Sequence, residues 1–157
     1  MKDPRFPPKE TRIRLIPIGQ RGQVDVLTQL PPEAQKACTQ MAKLYTTVGF
    51  KPPWIGYLAY ENDECVGTCA FKTAPKANRV EIAYNTFPKF EKRGFATRMA
   101  QELLGIVKGN QPGLLVTAQT LPGKNPSASI LKKLGFEYHG AVDHPKDGKV
   151  WEWWLTT

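Results

Sequence analysis

Hydrophobic and polar residues follow two different periods along this chain, one typical of strands and one typical of helices. Apolar runs, or apolar residues alternating with polar ones, predict strands, whereas apolar residues three or four positions apart predict helices. The predicted strands are 12–18, 52–60, 65–72, 79–87, 113–121, 136–142 and 149–156, and the predicted helices are 31–45, 94–108 and 125–135. This order predicts a mixed α/β fold with an antiparallel start and a strand–helix–strand unit in the middle.

Local sequence signals mark several of these boundaries. The turn ENDE between the strands at 52–60 and 65–72 predicts a hairpin. Gly109 is a typical stop for the second helix. Asn125 followed by Pro126 is a typical start for the third helix, since asparagine caps a helix and proline fits its first position.

Length and composition predict a globular protein. A chain of 157 residues is typical of one domain, which we place at 12–157, after a flexible tail at 1–11. Apolar residues make up 41% and charged residues 23% of the chain, values that are ordinary for globular proteins. No apolar run approaches the roughly 18 residues of a membrane span, and the first residues lack the apolar core of a signal peptide. We therefore expect no membrane association.

The cysteines predict a reducing environment. Cys38, Cys65 and Cys69 form neither an even-numbered disulfide framework nor a CxxC pair, so we expect buried free thiols in a cytoplasmic protein. His139 and His144 are the histidines that could complete a zinc site with them. Two histidines so far from the cysteines in sequence do not form a metal motif, and no metal is expected.

The positive charge of the chain is concentrated in one segment. The net charge is +8, and residues 72–98 hold seven basic residues against two acidic ones. Such a local excess indicates a polyanionic ligand or nucleic acid. Charge alone does not choose between them.

Within this segment, KRGFAT (92–97) places a basic, glycine-containing turn between a strand and a helix start. Free N–H groups and the helix dipole make such a place a general anion site. Gly94 allows the backbone to approach a phosphate closely, and Ala96 is small enough not to block it. The turn matches neither the P-loop nor the GxGxxG pattern. Basic turns before helices are common, so this segment alone is equally compatible with an ordinary turn.

Two longer segments carry a family resemblance. VEIAYNTFPKFEKRGFATRMAQELL resembles the acetyl-CoA-binding segment of the GNAT superfamily of N-acetyltransferases. Further on, TLPGKNPSASILKKLGFE resembles the second cofactor segment of the branch related to the ribosomal-protein N-terminal (RimJ/RimL-type) acetyltransferases, which commonly reads TLPxxNxSxxxLxKLGF. The resemblance extends over residues 12–156. It implies a mostly antiparallel central sheet, flanked by helices and splayed at its central strands.

The resemblance also implies an activity and a donor site. A member of this superfamily transfers an acetyl group from acetyl-CoA to a primary amine by direct attack, without a metal. The pyrophosphate loop is usually Q/R-x-x-G-x-G/A, and Glu91 here departs from its first position. Thr97 either adds a hydroxyl to this site or is an ordinary residue of the first helical turn, and Asn125 contacts the cofactor, caps its helix or does both. The residues implied to bind acetyl-CoA are Ile82, Ala83, Tyr84, Lys92, Arg93, Gly94, Phe95, Ala96, Thr97, Asn125 and Ser127.

Two residues are implied as catalytic candidates, each with an alternative. Glu81 stands in the strand where some members carry their general base, and it could equally form an ion pair with Arg79 or a lysine on the sheet. Ser127 stands where this branch places a serine facing the sulfur, and it could equally be a simple helix cap. Many members have a tyrosine at the position of Lys132.

An acceptor groove is harder to locate from sequence. Trp54 follows two prolines at the entry to a strand, and from position alone we expect it to line the groove together with Tyr45 and Phe50. The acceptor itself stays open among a protein N-terminus, an amino acid, a polyamine and an aminoglycoside-like compound. The oligomeric state also stays open, a homodimer included.

Two alternatives to an enzyme remain. A basic RNA- or ribosome-associated protein would explain the pI of about 9.5. However, no RRM, KH or cold-shock pattern is present, and the aromatic residues are not interleaved with the basic stretch, so nucleic acid is disfavoured. The departures at Glu91 and Lys132 also allow a CoA-binding module without turnover.

Overall fold

The computed structural model describes residue 5 and residues 13–157, and these residues form one sheet with helices packed on it. The strands are β1 (Arg14–Pro17), β2 (Gly56–Glu61), β3 (Glu64–Phe71), β4 (Arg79–Thr86), β5 (Leu115–Thr120), β6 (Glu137–His144) and β7 (Gly148–Thr156). The helices are α1 (Pro32–Val48), α2 (Phe95–Asn110) and α3 (Pro126–Lys133), with a short 3₁₀ turn at Pro88–Phe90. Apart from Arg5, the tail expected at 1–11 lies outside the described residues.

The sheet is mostly antiparallel. Its strand order is β1-β2-β3-β4-β5-β7-β6, and every neighbouring pair runs antiparallel except β4 and β5. Helix α2 connects these two strands and supplies the crossover that a parallel pair requires. The mixed, mostly antiparallel sheet flanked by helices is therefore confirmed.

Strand β4 changes partner along its length. Its first three residues pair with β5, in the register Arg79–Leu115, Val80–Val116 and Glu81–Thr117. Its later residues, from position 82 to 86, pair with β3. Both β4 and β5 continue beyond the Glu81–Thr117 pair without pairing with each other, which confirms the expected splay at the central strands.

Helix α2 covers the side of the sheet formed by β3 and β4. Its buried face includes Phe95, Met99 and Leu103, spaced at about one helical turn. A Cβ atom at Gly67 on β3 would be 3.0 Å from Met99 Cε on the helix, and it would be 2.4 Å from the Asn85 carbonyl oxygen on β4. Glycine at position 67 thus permits this close packing.

Most element boundaries differ from the sequence expectation by a few residues, and two of these differences have a clear local cause. Helix α2 continues past Gly109 to Asn110, because the residues of this turn keep helical geometry and the Val107 carbonyl still accepts a bond from the Gln111 N–H. Strand β2 begins at Gly56 rather than at 52, because the preceding prolines lack the N–H groups that a sheet ladder needs.

Two further expectations are addressed by the described residues. All three cysteines are buried and free, as expected. Among residues 5 and 13–157, no helix combines the length and the apolar character needed to cross a membrane.

Candidate active site

A cleft of about 400 Å³ opens where β4 ends and where α2 and α3 begin. We call it the strand-end cleft. It lies on the side of β4 where the splay separates this strand from β5. Its lining residues are Tyr84, Asn85, Thr86, Phe90, Glu91, Lys92, Gly94, Phe95, Ala96, Thr97, Pro126, Ser127 and Ile130.

The main chain of β4 presents hydrogen-bonding groups to the splay. The Glu81 carbonyl accepts from the Lys72 N–H at 2.9 Å, and the Phe87 N–H donates to the Val66 carbonyl at 2.9 Å, so the odd-numbered residues bond to β3. Because these groups alternate in direction along a strand, Ile82, Tyr84 and Thr86 point theirs toward β5. The ladder with β5 ends at the Glu81–Thr117 pair, whose bridge uses the Ile82 N–H. Among the described residues, the Ile82 carbonyl and the main-chain groups of Tyr84 and Thr86 therefore have no β5 partner and are available to a ligand lying between the strands.

The turn before α2 is built from left-handed backbone. Lys92 has φ of 64° and Gly94, the N-cap of α2, has φ of 82°. A non-glycine residue in this region costs roughly 1–2 kcal/mol, so the conformation at Lys92 is a strained one. No side chain of the described residues caps this helix start, and its first N–H groups have no partner within the helix. The geometry favours an anion at the mouth of the cleft.

Thr86 provides a test of whether a polar ligand fits here. Its Oγ1 atom is buried and has no hydrogen-bond partner within the described part of the chain, although the residue lines the strand-end cleft. Buried hydroxyl groups are normally paired. A ligand with amide or hydroxyl groups lying along β4 would satisfy this atom.

The two arginines of the basic segment nearest the cleft are engaged with an acidic residue. Glu61 lies 3.2 Å from Arg98 and 3.6 Å from Arg93, and the Arg93 guanidinium also lies over the Phe95 ring at 5.0 Å. Arg93 is therefore not among the lining residues, whereas Lys92 is. At Arg93, the main chain rather than the side chain is placed to meet a ligand.

Glu81 lies at the vertex of the splay and carries an ion pair. The Lys72 ammonium is 2.7 Å from Glu81 Oε2, an oxygen that is buried and makes no hydrogen bond of good geometry in the described residues. Arg79 instead pairs with Glu152 at 3.1 Å. This arrangement matches the ion-pair alternative, with Lys72 as the partner, and it leaves the carboxylate beside the point where β4 and β5 part.

Ser127 and Asn125 have different roles at the start of α3. The Asn125 side chain caps the helix, since Oδ1 accepts from the Ala128 N–H at 2.9 Å and Nδ2 donates to the Leu121 carbonyl at 2.9 Å. Asn125 does not line the strand-end cleft, whereas Ser127 is exposed and does. Capping by Asn125 leaves the Ser127 hydroxyl free for another role.

A second cavity, of about 200 Å³, lies between α1 and the sheet. We call it the α1 cavity. Tyr84 and Asn85 line both cavities, so β4 forms the wall between them. Of the expected donor-site residues, Ala83 lines this cavity and Ile82 is fully buried. The lining of the α1 cavity consists of Ile18, Ala37, Gln40, Met41, Tyr57, Thr68, Cys69, Ala70, Ala83, Tyr84 and Asn85.

Burial keeps the titratable residues that border the α1 cavity in their neutral forms. It raises the pKa of Tyr57 to about 12 and raises the pKa values of the Tyr84 hydroxyl and the Cys69 thiol well above their ordinary values. The Tyr57 hydroxyl donates to the Pro53 carbonyl at 2.6 Å. The cavity therefore stays uncharged near neutral pH.

The aromatic residues expected at an acceptor groove are used in packing. The Tyr45 hydroxyl donates to the Ile18 carbonyl and accepts from the Gly56 N–H, both at 2.9 Å. Phe50 packs on the Tyr45 ring and Trp54 packs edge-on against Phe71, each at a centroid distance of 5.0 Å. None of the three lines the α1 cavity.

Sequence reasoning did not identify the α1 cavity. Its residues from α1 are Ala37, Gln40 and Met41. In the sequence of an amphipathic helix, such residues look the same as ordinary buried and surface positions. No charge or motif marks them.

Comparison with known proteins agrees with the geometry. The family model described as acetyltransferase (GNAT) domain matches residues 20–137. The Bacillus licheniformis protein named uncharacterized N-acetyltransferase p20 is 30% identical over 83 residues, which span 52% of this chain and 47% of that protein. The match thus covers about half the length of this curated relative.

Solved structures share the fold at low sequence identity. The structure of RimL, a ribosomal L7/L12 α-N-protein acetyltransferase in complex with coenzyme A, superposes with a TM-score of 0.66 at 14% identity, over 95% of this chain and 96% of that one. The ribosomal-protein-S5-alanine acetyltransferase of Vibrio fischeri gives a TM-score of 0.63 at 12% identity, over 83% and 77% of the two chains. At such identities these likenesses establish the fold.

Proposed function

Because the chain belongs to the acetyltransferase (GNAT) domain family, we propose that it transfers an acetyl group from acetyl-CoA to a primary amine by direct attack. The observation that carries this proposal is the strand-end cleft. There the end of β4 beyond its last β5 pair, the start of α2 and the Thr86 hydroxyl converge on one space, and none of the three has a capping or pairing partner among the described residues. The RNA-binding alternative has no comparable support in the described structure.

The chain's own groups define how the donor would be held. The N–H groups at the start of α2 and in the turn at 92–94 bind the pyrophosphate, which also benefits from the positive charge of this segment. The departure at Glu91 matters little, since main-chain groups supply the contacts. The main chain of Ile82, Tyr84 and Thr86 bonds to the amide groups of the pantetheine arm.

The transfer requires three kinds of help from the protein. Acetyl-CoA supplies an activated acyl group, so that the C–N bond forms as the C–S bond breaks. A main-chain N–H of β4, near Ile82 and Tyr84, stabilises the charge that develops on the carbonyl oxygen. Ser127 donates a proton or a hydrogen bond to the departing sulfur. Glu81 accepts the proton of the attacking ammonium, directly or through a water molecule.

Glu81 must be released from Lys72 to act as a base. The 2.7 Å ion pair holds its carboxylate in the described structure. The same observation favours the alternative of a module that binds CoA without turnover. An assay of CoA thiol release separates the two, because a module of that kind releases no thiol with any amine.

Calorimetric titration with acetyl-CoA and CoA tests the donor site. ATP serves as the anion control, and each titration is run at low and moderate salt. We expect micromolar binding of both CoA species, little binding of ATP and a modest salt effect, because main-chain donors and burial of the pantetheine arm carry the affinity. Absence of binding by both CoA species would contradict the proposal, and a steep salt dependence with RNA would favour the nucleic-acid alternative.

A further inference from the structure

We propose that the α1 cavity receives the acceptor, and that this acceptor is a primary amine whose neighbouring group is small, aliphatic and uncharged. This inference rests on the proposed function and narrows it. Polyamines and aminoglycosides, which carry several positive charges, are thereby disfavoured as substrates. The argument uses the charge, the size and the position of the cavity.

The lining of the α1 cavity carries no charge. Its polar side chains are the neutral groups of Gln40, Thr68 and Asn85. A second ammonium group placed here would lose its hydration without gaining a counter-charge, which is costly. Binding of an aliphatic group here would be favourable, because its apolar surface leaves water.

The charges around the cavity do not favour a polycation either. Glu81 shares a face of β4 with Ala83 and Asn85, since side chains alternate along a strand, but it is paired with Lys72 at 2.7 Å. The protein as a whole carries a net charge of +8, which repels cations at a distance. Glu91 lines the strand-end cleft and Glu102 lies near Cys69, but no acidic residue is among the described residues that line the α1 cavity.

The size of the cavity fits a short side chain. At about 200 Å³ it is smaller than the roughly 300–1,000 Å³ typical of sites for drug-sized molecules. An aminoglycoside would exceed this space, whereas an amine carrying a group of three or four carbons would fit within it. Met41, which lines the cavity, is a flexible side chain and adjusts to the shape of such a group.

The position of the cavity brings the acceptor to the donor. Tyr84 and Asn85 line both cavities, so a molecule in the α1 cavity is separated from the strand-end cleft only by β4. Beyond Glu81 the edge of β4 has no β5 partner among the described residues, so an amine in the α1 cavity would reach the acyl carbonyl at this open edge rather than through the strand. The neutral amide of Asn85, which is exposed at the rim, can bond to a carbonyl group adjoining the amine.

A panel of amines tests the proposal with the intact protein. Alanine amide and valine amide represent amines with a small aliphatic group, and spermidine and an aminoglycoside represent polycations. We expect kcat/KM for the two amides to exceed that for the polycations by at least 100-fold. Equal or better use of the polycations would overturn the inference while leaving the proposed transferase intact. Failure to bind acetyl-CoA in calorimetry would instead overturn the proposed function itself.

Two pairs of variants locate the effect. Ala70→Leu fills the α1 cavity, and Ala141→Leu makes the same change on the exposed strand β6. We expect Ala70→Leu to raise KM for valine amide at least 10-fold with an unchanged Kd for CoA, and Ala141→Leu to change neither. Equal effects of the two variants would overturn the assignment.

The second pair keeps the test informative if Ala70→Leu does not fold. Gln40→Glu adds a carboxylate at the exposed rim of the cavity, and Gln111→Glu adds one just beyond the far end of α2. Gln40→Glu should improve spermidine relative to valine amide at least five-fold, and Gln111→Glu should leave the ratio unchanged. An unchanged ratio in Gln40→Glu would contradict the proposal.

Discussion

Glu81 and Thr117 form the last pair of the parallel ladder between β4 and β5. Up to this pair the sheet is continuous, and beyond it β4 keeps only β3 as a partner. The pair therefore sets both the depth of the splay and the place where free main-chain groups begin. It also puts a carboxylate, held by Lys72, directly at the vertex.

Gly94→Ala should weaken binding of CoA. Position 94 has φ of 82°, where an alanine costs roughly 1–2 kcal/mol, and relaxation of the strain would move the N–H groups of the turn. We expect at least a 10-fold increase in the Kd for CoA, measured by calorimetry, and a lower Tm. Gly109→Ala, inside α2 with ordinary helical backbone and open space around its Cβ, should keep the affinity and slightly raise the Tm. Equal affinities for the two variants would contradict the role of the turn.

Glu81→Gln and Lys72→Met should differ if Glu81 is the general base. Both remove the ion pair, but only the first removes a proton acceptor. We expect Glu81→Gln to lower kcat at least 100-fold and to flatten its dependence on pH, while Lys72→Met lowers kcat less than 10-fold. Similar losses in both variants, with CoA binding retained, would show that the pair only supports the fold.

Ser127→Ala should lower kcat by roughly 10-fold without loss of stability, as expected for removal of one proton donor. Its control is Ser129→Ala, an exposed serine on the same helix that does not line the cleft. Asn125→Ala should behave in the opposite way, since it removes the cap and costs about 1 kcal/mol of stability. Steady-state kinetics and thermal unfolding of the three variants check these outcomes. Unchanged turnover in Ser127→Ala would contradict the proposed role of Ser127 as a donor to the sulfur.

Tyr45→Phe should destabilise the protein without affecting acceptor binding. The change removes two hydrogen bonds and leaves the buried Ile18 carbonyl and Gly56 N–H unpaired, at a cost of about 1–3 kcal/mol. Denaturant unfolding measures the loss, and KM for the best amine should stay within two-fold of the wild-type value. Tyr138→Phe, at a half-exposed position, serves as the control and should change neither quantity. A large rise in KM for Tyr45→Phe would restore this residue to the acceptor groove.

Stability should fall as pH rises above about 9. Burial raises the pKa of Cys65 from 9.0 to about 11 and the pKa of Tyr57 from 10.0 to about 12. Above pH 9 the unfolded chain releases protons that the folded chain retains, so unfolding becomes more favourable by up to about 1.4 kcal/mol per pH unit for each group. A series of Tm values between pH 7 and pH 11 should be flat at first and then decline. Cys65→Ala should show a shallower decline, and an unchanged decline would contradict the contribution of this thiol.

The sequence predicted those parts of the fold and the site that depend on nearby residues. The strand, turn and helix from Arg79 to Asn110 carry their own period and boundary signals, so the sequence predicts the elements that border the strand-end cleft. The sequence is compatible with Asn125 as a helix cap, as a cofactor contact or as both, and the distances show the hydrogen bonds of the cap.

The remaining features depend on residues far apart in the chain. Arg93, in the turn before α2, is paired with Glu61 at the end of β2. Lys72, just after β3, is paired with Glu81 on β4. Pairing partners of this kind follow from sheet register, which the hydrophobic pattern of one strand does not contain. The insertion of β7 between β5 and β6 is likewise a choice among long-range pairings.

The partner switch of β4 has a consequence for how such a protein can diverge. In the proposed complex the donor faces main-chain groups of Ile82, Tyr84 and Thr86, which are present whatever the side chain, except that proline lacks the N–H. The side chains of Ala83 and Asn85 face the α1 cavity instead. Under the two proposals, one strand assigns recognition of the common donor to its backbone and recognition of the acceptor to its side chains. Substitutions can then change the choice of amine and leave the donor contacts in place.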